Sequence, residues 1–104
     1  MKRRSGGLAT LAILAVAILS ASCGGALYSV QINGVASKVA EAKELGAEKL
    51  APYEYHYANE HLQKAMSEAS EGDYSDAIQF ADVAEEYANK AIQLSKEAHR
   101  GGGR

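Results

Sequence analysis

Residues 70–84 read SEGDYSDAIQFADVA, and their reading decides the fold. Gly72 tolerates the left-handed backbone that closes a helix at its C-terminus. Asp73 is a good N-cap residue, and Asp76, three residues on, falls in a first turn that favours acids. One helix stops here and another starts within about four residues, so the two must run antiparallel. The stretch is the tip of a helical hairpin.

Downstream of it, the spacing predicts a helix over 74–99. Ala77, Ala81, Ala84, Ala88, Ala91, Ser95 and Ala98 alternate at four and three residues, and all are small. That seam lets two helix axes approach closely. A bulkier edge, Ile78, Phe80, Val83, Tyr87 and Leu94, runs beside it. Lys96, His99 and Arg100 suit the negative end of the helix dipole, and Gly101–Gly103 is expected to end the helix and begin a loose tail over 100–104.

Upstream, Tyr55, Ala58, Leu62, Ala65 and Ala69 repeat at three and four residues with Met66 beside them, predicting the partner helix over 52–70. Pro52 suits a first helical turn, and Ala51 before it is pushed away from helical angles. Glu54 sits well in that first turn. A further stripe, Val35, Val39, Ala42 and Leu45, predicts a helix over about 35–50, with Asn33 as a candidate N-cap and Gly46 as a weak point. The expected fold is all-α, a small antiparallel three-helix bundle. The alternative is one long hairpin in which Pro52 only kinks a continuous arm.

The N-terminus has a different character. Lys2, Arg3 and Arg4 precede the apolar run Leu8–Leu19, and the small residues Ser20, Ala21 and Ser22 follow it. This is the order of an export signal. A membrane span needs about 20 apolar residues, which this run does not supply. Cys23 comes directly after the small residues and is the chain's only cysteine, so no disulfide forms within the chain. The stretch resembles a bacterial lipoprotein signal, with Leu19 one place early. That resemblance implies removal of residues 1–22 and acylation of Cys23. Residues 23–34, beginning with Gly24 and Gly25, then read as a lipidated tether. Several acyl chains anchor stably where one is marginal. Glycine rather than aspartate after the cysteine implies the periplasmic face of the outer membrane.

The chain has 104 residues and net charge −2, enough for one small domain and without the basic signature of nucleic-acid binding. Loss of residues 1–22 removes three of eleven basic residues and none of thirteen acids, leaving eight against thirteen, or −5. Such a domain is not drawn to anionic lipid by charge and depends on a covalent anchor.

Gly72–Ala84 is similar to the turn and second helix of a tetratricopeptide repeat, with Ala77, Ala81 and Ala84 at packing positions. The closing proline is absent, Asn89 continues the helix, and a single unit makes no multi-repeat groove. Over about Val35 to His99 the chain resembles an uncharacterised family of small bacterial lipoproteins, the domain of unknown function 4398. The matching features are Ala51-Pro52-Tyr53-Glu54, the alanine seam after it, and Gly72-Asp73-Tyr74 with Ala77. The resemblance implies location and fold and supplies no reaction.

One cluster is both aromatic and titratable: Tyr53, Tyr55 and Tyr57 with His56 and His61. Tyr55 shares the packing seam, while Tyr53 and Tyr57 fall at the rim, a candidate partner-contact surface. A helical zinc pair needs two histidines four apart, and these are five apart, so no metal is expected. No nucleophile–base constellation, phosphate loop or nucleotide motif occurs, so neither catalysis nor a cofactor is expected. The expected role is a lipid-anchored, non-catalytic envelope protein whose hairpin docks a protein partner or organises the envelope. Two alternatives are a self-associating structural lipoprotein like the murein lipoprotein, and a small-ligand binder using the tyrosine–histidine cluster. The murein-like class often ends in lysine, whereas this chain ends in Arg104.

Overall fold

The computed structural model describes the backbone of residues 3–102 and the side chains of residues 7–16 and 24–102. The side chain of Cys23 lies outside the described residues, as do residues 1–2 and 103–104. Among the described residues the fold is all-helical: α1 spans Arg3–Glu44, α2 Ala47–Leu50, α3 Pro52–Ser70 and α4 Tyr74–Gly102. None of these helices, in the described residues, is long and apolar enough to cross a membrane.

α1 departs from expectation. The stretch 23–34, read as a tether, is helical, and the helix begins well before Asn33. Glycine inside a helix costs about 1 kcal/mol relative to alanine, so Gly24, Gly25 and Gly34 do not favour this locally. Tertiary contacts supply the reason. A Cβ on Gly24 would lie 3.7 Å from the Cβ of Tyr74, and one on Gly25 would lie 3.5 Å from the Tyr74 ring. Tyr28 meets Tyr74 with ring centroids 5.8 Å apart, Ile32 packs on the core, and Gln31 donates to Asp82.

The expected helix over 35–50 is also divided. Gly46 takes φ 84°, and its N–H bonds the Lys43 carbonyl at 2.9 Å, which ends α1. α2 is a single turn, and Ala51 (φ −144°, ψ 60°) leaves helical angles before Pro52 opens α3. The chain therefore turns twice between α1 and α3, and Pro52 does more than kink one arm. α4 runs on through Gly101 and Gly102 rather than ending at residue 99.

The hairpin tip forms as its residues dictate. Gly72 takes φ 85°, its N–H bonds the Ala69 carbonyl at 3.0 Å, and the Asp73 N–H bonds the Glu68 carbonyl at 3.0 Å. This is the paired closure that a left-handed residue permits. Asp73 Oδ1 accepts the Asp76 N–H at 3.1 Å, capping α4.

Contacts along the helices fix their sense. From α1 to α4, Tyr28 meets Tyr74, Glu41 meets Lys96 at 3.4 Å and His99 meets Leu45, so these two helices run parallel. From α3 to α4, Tyr57 meets Tyr87 and His61 meets Phe80, so this pair runs antiparallel. Val35, Val39 and Ala42 of α1 join Tyr55, Ala58, Leu62 and Ala65 of α3 and Ala81, Ala84, Ala88 and Ala91 of α4 in one core. The seam fades at its ends: Ala69 is half-buried and Ala98 exposed. A core dominated by alanine holds by close approach of helix axes and dispersion contacts rather than by bulky side chains.

Candidate partner-contact face

Successive residues of an α-helix are about 100° apart. On α4, Asp82 and Glu85 therefore lie on one side of the alanine seam and Phe80 and Tyr87 on the other. Gln31 and Lys38 of α1 bond Asp82 and Glu85. The Phe80–Tyr87 side faces away from α1 and borders α3.

There α3 presents Tyr53, Tyr57 and His61, spaced one turn apart. The rings form a continuous array. Tyr53 stacks on Tyr57 at 5.7 Å between centroids, and Tyr57 lies 4.2 Å from both Tyr87 and His61. Tyr53 meets Tyr87 edge-on at 6.1 Å, and His61 reaches Phe80 at 6.1 Å. Lys90 sits over the Tyr87 ring at 4.5 Å and Lys64 over Phe80 at 5.0 Å, each within cation–π range. Each such contact is worth about 0.5–1 kcal/mol at an exposed site. The His61 ring is fixed by its Nδ1–H, which donates to the Tyr57 carbonyl at 2.9 Å. Tyr53 is 63% exposed, while Tyr57, His61, Phe80 and Tyr87 are half-buried. Two shallow depressions share His61, one toward Asn59 and Lys64, the other toward Gln79 and Phe80.

The five residues singled out in the sequence do not form one patch. Tyr55 is only 6% exposed and belongs to the core, where burial, then the charge of Glu48 and a hydrogen bond to it, push its phenol above the ordinary range. His56 lies edge-on to Tyr55 on an exposed flank, apart from the array. Tyr53, Tyr57 and His61 stay together. Tyr87 and Phe80, noted in the sequence only as the bulkier edge of α4, complete the surface. Their seven-residue spacing on one flank of the seam was the signal for them, and it needed the hairpin pairing to gain meaning.

The proton affinities that shift belong to structural contacts. Burial, then the neighbouring Tyr74, raises Tyr28, and the hydrogen bond to Glu86 raises Lys90. Glu68, Asp73 and Asp76 bring carboxylate oxygens within 4.8 Å of one another at the hairpin tip. Asp73 is engaged there as the cap of α4.

No curated protein and no solved structure matches the chain significantly. A family model described as Domain of unknown function (DUF4398) matches residues 31–100, which takes in the C-terminal part of α1, α2, α3 and nearly all of α4. The chain belongs to that family.

Proposed function

We propose that this is a lipid-anchored protein of the bacterial cell envelope, attached through Cys23 on the periplasmic face of the outer membrane. In this reading it is not an enzyme: α1, α3 and α4 form a bundle that presents the α3–α4 hairpin to a protein partner. The observation that carries the docking role is the aromatic array of Tyr53, Tyr57, His61, Phe80 and Tyr87, which α1 leaves uncovered. Tyrosine is a residue type that interfaces favour, and Tyr53 is exposed at one end of the array. The alanine seams are consumed inside the chain, which favours this role over a self-associating coiled coil.

Support for the anchor comes from the division of α1. Leu8, Leu11, Ile13, Leu14 and Val16 are all exposed, as in an apolar signal made for a membrane, and packing against the bundle starts at Gly24. Two experiments test the proposal. Radiolabelled fatty acid should enter the wild type and not Cys23→Ser; labelling of the mutant refutes the anchor. A photo-crosslinking residue at Tyr53 in living cells should yield one discrete adduct that Tyr57→Ala weakens and that a crosslinker at Lys43 does not give. Equal adducts from both positions refute the docking face.

A further inference from the structure

We infer that the bundle stands on the membrane by its α3–α4 hairpin tip, held there by a docked helix rather than by slack chain, so that the tip faces the lipid headgroups. The inference rests on acylation of Cys23. One peptide bond beyond that cysteine, the chain is already seated. Gly24 and Gly25 lie in helical backbone against Tyr74, the first residue of α4, and the Tyr28 ring packs on the same Tyr74 ring. Tyr74 follows the hairpin tip directly, so the anchor point and the tip share one end of the molecule.

The seating is close at both glycines. A Cβ at Gly25 would lie 3.5 Å from the Tyr74 ring, ordinary van der Waals contact, so α1 and Tyr74 already lie close together there. Ser29 Oγ donates to the Gly25 carbonyl at 2.9 Å, giving this first turn one further internal bond. Chemistry also sets how deep the tip sits. Glu71, Asp73 and Asp76 are exposed there, and carboxylates belong in the hydrated headgroup layer, not in hydrocarbon.

The opposite end then projects into the aqueous compartment. It carries α2 and the contact in which His99 Nε2–H donates to the Leu45 carbonyl at 2.7 Å. With a rise of about 1.5 Å per residue, His99 lies about 37 Å along α4 from Tyr74. The aromatic array consequently runs up the side of the bundle, with Phe80 nearer the membrane and Tyr53 farther from it.

Fluorescence quenching on the full-length lipidated protein in phosphatidylcholine vesicles bearing a headgroup acceptor tests this. Thiols introduced by Ser75→Cys or Gly101→Cys carry the donor; an acylated Cys23 takes none. The expected result is strong quenching at position 75, weak quenching at 101, and a height difference of about 39 Å. Inserting six Gly/Ser residues between Cys23 and Gly24 adds a flexible link of about 13 Å and should shrink that difference while the helical circular dichroism stays unchanged. Equal quenching at the two positions with vesicle flotation intact overturns the inference alone. So does a height difference that survives the insertion. Donor incorporation at Cys23 with loss of flotation overturns the anchor, and the inference with it.

Discussion

Ser95 is the one buried side-chain polar group without a hydrogen-bond partner among the described residues. It occupies a place in the α4 seam where every buried neighbour in register is alanine. A buried hydroxyl left unpaired costs about 1–3 kcal/mol, and alanine fits the same space. Ser95→Ala should therefore stabilise the protein by about 1 kcal/mol, seen as a rise in Tm of several degrees. A fall in Tm would mean that the hydroxyl has a partner. Gly72 is a residue of the opposite kind, irreplaceable for a local reason: its φ of 85° suits glycine and strains any side chain. That requirement was legible in the sequence because it depends only on adjacent residues.

At the scale of elements, α3 and α4 are defined by their own residues. Pro52 opens α3, Gly72 closes it, Asp73 caps α4, and each seam repeats at four and three. The seam of α4 sets how close its neighbours come, since Ala77, Ala81, Ala84, Ala88 and Ala91 are fully buried. A larger side chain there must push a helix away. Ala84→Leu should destabilise by about 1–3 kcal/mol through overpacking, measurable by urea unfolding, whereas Glu86→Gln on the exposed face should change stability by less than about 0.5 kcal/mol. A neutral Ala84→Leu would show that the seam has slack. α1 is not defined this way. Exposed ion pairs such as Lys96–Glu41 add little, about 0–1 kcal/mol each, so its hold on the bundle comes from Val35, Val39, Ala42 and the Tyr74 seat.

Across the whole molecule, 84 Å long and 21 by 15 Å across, two phenols, Tyr28 half-buried and Tyr55 buried, mark the two ends of the α1 contact. Tyr28 lies at the hairpin-tip end and Tyr55 near α2, and burial is the first cause of a raised affinity for the proton in both. Lys90 shifts the same way through its hydrogen bond to Glu86. A group whose folded value lies above its unfolded one contributes stability that is complete below the unfolded value and is lost as pH rises through the folded value. For the phenols the unfolded value is 10.0. Stability should be insensitive to these groups at neutral pH and should decline above pH 10. Tyr28→Phe with Tyr55→Phe should flatten that decline in melts run between about pH 9 and 11. An unchanged slope would exclude the phenols as its source.

The hairpin, its caps, its two seams and the boundary at Pro52 were all determined by sequence alone, because each depends on residues within a turn or two. The same local logic sent Tyr55 inward and Tyr53 outward. Tertiary structure decided the rest. Residues 24–34 look like slack chain by composition, and they are helical because Tyr74, roughly fifty positions away, gives Gly24, Gly25 and Tyr28 something to pack on. Likewise the candidate face joins Tyr57 and His61 to Tyr87 and Phe80 only after the antiparallel pairing sets them side by side. Helix periodicity says which way a side chain points along its own helix; what it meets there depends on a second helix whose position no local pattern encodes.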